Sequence, residues 1–122
     1  MKFRKLTTKY GTSIILGKDK EQNEKLISEF LGKDVFILHT EAPGSPFCVI
    51  AEKPKKTDKK EAAIVCARYS QDWRDHKKNV KVHIFTGKDV YKSKLMPIGT
   101  FGVKKFKTII VKKEDILKLK LF

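Results

Sequence analysis

Residues 34–52 read DVFILHTEAPGSPFCVIAE, and the central EAPGSP restricts the fold more than any other segment of the chain. Two prolines and a glycine so close together exclude a helix there. The runs on either side, DVFILHT and FCVIAE, are short, apolar and rich in β-branched and aromatic residues, which predicts two strands. A short connection makes them adjacent and antiparallel. Their apolarity is nearly continuous rather than alternating, so both faces of the sheet they belong to must be covered. A chain of 122 residues suits one domain over 1–122, able to bury roughly two-thirds of the surface its unfolded form exposes.

The flanking sequence supplies the covering layers. FRKLTTKYGTSIILG predicts an opening hairpin from residues 3–8 and 12–16, with Gly11 at the tip providing a positive φ. In DKEQNEKLISEFLG, Asp19 and Gln22 have capping-box spacing, Leu26, Ile27, Phe30 and Leu31 share one face, and Gly32 ends the helix. TDKKEAAIVCARYSQDW predicts a second helix starting at Thr57 and Asp58, with Glu61 three residues on. Its small residues Ala62, Ala63, Cys66, Ala67 and Ser70 let it lie close against the sheet. NVKVHIFTG alternates as a half-buried strand, which KDVYKSK is expected to extend beyond Gly87. A glycine-punctuated loop or short strand at 98–104, a strand at 107–112 and a helical turn capped around Glu114 and Asp115 complete the chain. The expected fold is α+β: a mostly antiparallel sheet packed against two main helices.

Charge narrows the function. Lysine and arginine total 28 against 14 acids, a net charge of +14. A polyanionic partner follows. Only Arg4, Arg68 and Arg74 are arginine; a compositional bias could account for that preference for lysine, but not for the twofold excess over acids. No apolar run approaches the roughly 18 residues a bilayer span needs, no stretch joins an apolar helical face to a basic one, and MKFRKLTTKYG lacks a signal peptide's apolar core. A cytoplasmic protein without a membrane role is expected. Cys48 and Cys66 lie in apolar context without a C-x-x-C, as buried thiols in a reducing compartment do.

Three groups of residues are candidates for contact with nucleic acid. Lys53, Lys55, Lys56, Lys59 and Lys60 fall in the loop after a strand and in the first turn of the next helix, where exposed backbone N–H groups and lysines can face a phosphate. Lys104, Lys105 and Lys107 interleave with Phe101 and Phe106, a pattern suited to single-stranded RNA, although both rings also fit a core or half-core position. Tyr10 and Lys9 occupy the first hairpin tip. His39 ends an apolar strand, and either satisfies a carbonyl or touches RNA by stacking and hydrogen bonding. Catalysis is not expected: Ser45 and Asp34 lie near His39 in sequence, but nothing resembles a nucleophile elbow or an oxyanion loop. His39, His76 and His83 have no metal-ligand spacing, so neither metal nor cofactor is expected.

The order of landmarks carries a resemblance along nearly the whole chain. Tyr10-Gly11 is followed by Gly17-Lys18 and Gln22-Asn23; the strand ending in His39 leads to Pro43-Gly44-Ser45; Ala62-Ala63 runs on to Tyr69-Ser70; VKVHIFTGKDVYK follows. Together they resemble the RNA-binding domain of the NFACT proteins, NFACT-R, here standing alone. Three departures stand out. Asp34 lies five residues before His39 rather than four, Phe36 or Ile37 takes a tryptophan's place, and Pro46-Phe47 replaces the family's second histidine. The resemblance implies RNA or ribosome binding, since in large members this domain accompanies parts that act on tRNA and the large ribosomal subunit during rescue of stalled synthesis. Neither of those parts fits in 122 residues. The expected function is an RNA-binding module contacting tRNA or rRNA on the ribosome through a lysine-rich, phosphate-contacting surface, in ribosome-associated quality control or another translation-related role. Lys18, His39, Ser45 and Tyr10 join the two lysine groups as its expected RNA-contacting residues. The competing reading is a protein-interaction module that docks on an acidic partner without touching nucleic acid.

Overall fold

The computed structural model describes residues 2–119, and their order begins with the predicted hairpin. Strands β1 (Arg4–Thr7) and β2 (Ser13–Leu16) pair antiparallel around a tip at which Gly11 has φ +85°. Helix α1 (Lys20–Phe30) starts where Asp19 accepts the Gln22 N–H at 2.8 Å. The Gln22 side chain reaches back to the Lys18 N–H at 3.0 Å, one residue earlier than in a standard capping box. Gly32, at φ +79°, follows the helix. Strands β3 (Phe36–Thr40) and β4 (Cys48–Ile50) then pair antiparallel with Ile37 opposite Val49, as EAPGSP requires.

Downstream, four expectations are corrected. The second helix, α2 (Asp58–Arg68), stops before Tyr69, and a separate short helix α3 (Gln71–His76) follows. Ser70 causes the break: its hydroxyl donates to the Ala67 carbonyl at 2.6 Å and accepts the Trp73 N–H at 3.1 Å, so it caps a new helix instead of continuing the old one. At the start of α2, Thr57 makes no side-chain cap. The Asp58 carboxylate accepts the Lys55 N–H at 2.7 Å, and Glu61 turns outward to accept the Lys9 N–H at 3.2 Å on each oxygen. After β5 (Val80–Thr86), one 3₁₀ turn at Gly87–Asp89 takes the chain out of the sheet, because Asp89 accepts both the Thr86 N–H and its hydroxyl at 3.1 Å. KDVYKSK therefore does not extend β5: β6 (Val90–Tyr91) pairs with β7 (Gly102–Val103) in a separate ribbon. Finally, β8 (Lys107–Val111) leads into α4 (Lys113–Lys118), whose first N–H is held by Asn79 Oδ1 at 2.9 Å. Glu114 and Asp115 lie within its first turn and do not cap it.

The main sheet is antiparallel throughout, in the order β1-β2-β4-β3-β5-β8. Alternation along the strands sends Leu16, Leu38, Cys48, Ile50, Val82 and Ile84 to one face, where Ala62, Ala63, Cys66 and Ala67 of α2 pack with Trp73 of α3 and Ile116 of α4. Ile37, Val49 and Phe85 face the other way, against Leu26 and Ile27 of α1 and Val90. Both faces are thus covered. Alanines at the α2 contact bring that helix close to the sheet. Cys48 and Cys66 are free and buried in this layer; burial pushes the Cys48 thiol up, and the neighbouring Cys66 adds to the effect.

Candidate nucleic-acid interface

Two sites form at opposite ends of the central strands. At the Phe36 and Ile50 end, the tip of the β1–β2 hairpin meets the 53–60 segment: the Lys55 ammonium donates to the Tyr10 carbonyl at 3.0 Å, and Glu52 accepts the Ser13 N–H at 3.0 Å. Lys59 lies 4.0 Å from the centre of the Phe36 ring, and Lys53, Lys55, Lys56 and Lys59 surround a shallow pocket of 430 Å³ over that ring. Asp58 organises the turn. Its burial raises the carboxyl pKa, but the nearby Thr12 and Thr8 hydroxyls, the hydrogen bond from the Lys55 N–H and the Lys55 charge prevail and hold it below its ordinary value. The local acids are therefore spent on the backbone, with Glu52, Asp58 and Glu61 each accepting an N–H. Among the described residues, none of Lys9, Lys53, Lys55, Lys56, Lys59 and Lys60 forms an ion pair. Tyr10 is 46% exposed beside them.

At the other end, the 41–47 turn closes β3 onto β4. Gly44, at φ +87°, offers its carbonyl to the Gln71 N–H at 2.8 Å and so ties the turn to α3. Ser45 is buried; its hydroxyl accepts the Thr40 N–H at 3.1 Å and donates to the Pro46 carbonyl at 3.0 Å, so it holds the turn together. His39 emerges here on the α1 face, opposite His83 of β5. Its Nδ1–H donates to the Thr40 carbonyl at 2.8 Å, the carbonyl-satisfying arrangement anticipated for a strand-end histidine. Burial lowers its pKa, the Thr40 carbonyl partly opposes that shift, and His83 reinforces it. The ring is accordingly neutral near pH 7, with Nε2 bearing a lone pair.

Rings crowd this region. His39 packs on Phe47 at 4.4 Å between centroids, Phe47 meets Phe101 edge-on at 5.8 Å, and His83 stacks on Phe106 at 3.8 Å. A cleft of 710 Å³ opens beside them, its lining drawn from both layers. Arg4, Lys18, Lys20 and Arg74 line it against two acids, Asp19 and Glu41. Asp19 is spent on the α1 cap, and Glu41 lies 3.4 Å from His83 Nε2. That distance suits an ion pair with a protonated ring, but Nε2 makes no aligned hydrogen bond.

The sequence-derived candidates therefore separate. Tyr10 and the five lysines of 53–60 meet at one end; His39, Ser45 and Lys18 meet at the other. Lys104, Lys105 and Lys107 line neither pocket, although Lys105 and Lys107 flank the Phe106 ring that stacks on His83. They are exposed on the segment leading into β8, which forms the opposite edge of the sheet from β1. Phe106 is 49% exposed, outside the core, whereas Phe101 is half-buried against Phe47. Sequence reasoning missed His83, Phe47, Lys20 and Arg74 as neighbours of His39. The one signal for His83 was its place on the wetter side of the NVKVHIFTG alternation.

The sequence profile of the NFACT protein RNA binding domain matches residues 2–105. The chain belongs to the NFACT RNA-binding domain family. The match spans both ends of the sheet and stops short of Phe106 and Lys107. The archaeal Rqc2 homologue aRqcH of Methanocaldococcus jannaschii is 33% identical over 73 residues, which cover 57% of this chain and 11% of that protein. Among solved structures, the C-terminal part of the fibronectin/fibrinogen-binding protein from Streptococcus suis superposes with a TM-score of 0.81 at 25% identity, covering 99% of this chain and 50% of the other. In this NFACT-R chain, Phe47 packs at a tilt on His39 from the segment after the Pro43-Gly44-Ser45 turn, and His83 supplies an imidazole from a different strand. Among the described residues there is no group of three or more metal-ligating side chains, and no helix long and apolar enough to cross a membrane.

Proposed function

We propose that this chain binds structured RNA, tRNA or rRNA, by its phosphates at the lysine-rich end of the sheet. One observation carries the reading: hairpin tip and 53–60 turn bring six lysines together, none of them in an ion pair among the described residues, while Glu52, Asp58 and Glu61 each accept a backbone N–H. Family membership supports RNA as the polyanion. The name of the M. jannaschii relative, an Rqc2 homologue, supports a setting in ribosome quality control. Phosphate contacts of this kind give steep salt dependence and little preference for sequence.

The test is a salt titration of tRNA binding. Replacing Lys53, Lys56 and Lys60 with glutamine is expected to weaken binding to all RNAs alike and to flatten the double-logarithmic salt slope by roughly one unit per lysine. Unchanged affinity and slope would move the phosphate surface elsewhere. The S. suis relative is named for protein ligands, so the competing outcome is a stoichiometric acidic protein co-purifying with the chain in place of material absorbing at 260 nm.

A further inference from the structure

The cleft at the His39 end lies across the sheet from the lysines, and its lining differs in kind: rings and guanidinium groups take the place of a lysine field. Its volume of 710 Å³ falls within the range of small-ligand sites, roughly 300–1,000 Å³. From the geometry we infer that this cleft takes an unpaired nucleotide of a bound RNA, the base against the Phe101, Phe47 and His39 rings and the phosphate toward Lys18 and Lys20. The inference rests on the RNA-binding reading and adds a single-strand site to it.

Three features favour a nucleotide over other occupants. The half-buried His39 and Phe101 rings both pack on the buried Phe47, so the cleft wall presents aromatic rings fixed from behind, and such rings accept any base because every base has a π-face. His39 has committed Nδ1–H to Thr40, which leaves Nε2 as an acceptor for the N–H donor that each base carries. Charge completes the match. Arg4 stacks one face on the Tyr69 ring at 4.1 Å and keeps its N–H edge for an anion, and with Lys18, Lys20 and Arg74 it sets four cations in the lining against two acids, one of which, Asp19, is held by the α1 cap. An acidic peptide would use the cations and leave the rings idle; a nucleotide uses both.

The experiment compares a blunt RNA duplex with the same duplex carrying a short single-stranded 3′ extension that contains 2-aminopurine. Wild-type protein is expected to bind the extended form about ten-fold more tightly and to quench the 2-aminopurine fluorescence. In His39→Ala, checked for folding by circular dichroism, and in the surface variant Lys18→Gln/Lys20→Gln, the affinity ratio of extended to blunt duplex should fall toward one. Equal binding of the two duplexes by wild-type protein, with fluorescence unchanged, would overturn the inference and leave phosphate binding at the lysine end intact. Full enhancement and quenching in both variants would also overturn it, by placing the base elsewhere. Failure of either duplex to bind at low salt would instead remove the RNA reading itself.

Discussion

Gly44 shows how much of this molecule depends on single backbone positions. Its φ of +87° lies in the left-handed region, and a Cβ added there would sit 2.7 Å from the Gln71 side chain. Gly44→Val therefore meets backbone strain, with a cost of about 1–3 kcal/mol, while the exposed end of the Gln71 side chain can swing aside. The expected outcome is a clear fall in melting temperature; an unchanged value would show that the turn can reach an ordinary φ without loss. The need for glycine was legible in the sequence, because Pro-Gly-Ser between two strands is a turn. The Gln71 contact was not, since it arises only when α3 docks on that turn. His39 is similar: its strand was readable, but its stacking partner and its opposing imidazole depend on register.

Elements are joined by a few polar clasps that their own sequences do not announce. Glu24, midway along α1, accepts the Lys92 ammonium and the Gly99 N–H, both at 2.8 Å, and the same ammonium also reaches the Pro97 and Thr100 carbonyls at 2.7 Å. One carboxylate thus holds the 92–100 loop onto a helix some 70 residues earlier. The Lys92 hydrogen bond outweighs partial burial and lowers the Glu24 pKa below its ordinary 4.5. The sign follows: the contribution is complete above about pH 4.5 and is lost as pH falls through the lowered folded-state value. Glu24→Gln is expected to exchange the 92–100 amides faster at neutral pH and to show a shallower loss of stability on acidification than wild type. Equal exchange rates would mean that the loop is held by other contacts. Helix α2 offers the contrasting case. Its small-residue face was visible in the sequence and does pack on the sheet, but its end was missed because Ser70 can serve as helix interior or as cap, and docking of α3 selects the cap.

On the scale of the whole molecule, one sheet separates two apolar layers, so neither layer can lose its packing without exposing the strands they share. Cooperative unfolding follows. Trp73 is the single tryptophan and reports only the α2–α3 layer. Val49 points the other way, fully buried toward α1. Val49→Ala is expected to destabilise by about 1–3 kcal/mol, with Trp73 fluorescence and far-UV circular dichroism still reporting one coincident transition. Separate transitions would show that α1 can melt off an intact sheet.

The sequence by itself determined the class of the fold, most of its elements and the large excess of positive charge, because periodicity, turn chemistry and net charge are local or additive properties. It also identified the NFACT-R pattern, an ordering of landmarks that survives weak identity. Only the tertiary structure decided that the candidates form two sites instead of one. Strand register put His83 beside His39, helix docking brought Arg74 and Lys20 to the same cleft, and folding the hairpin tip onto the 53–60 turn gathered its lysines while Glu52, Asp58 and Glu61 came to accept backbone N–H groups. Those are contacts between residues far apart in the chain, and no local pattern encodes which side chains a sheet will bring face to face.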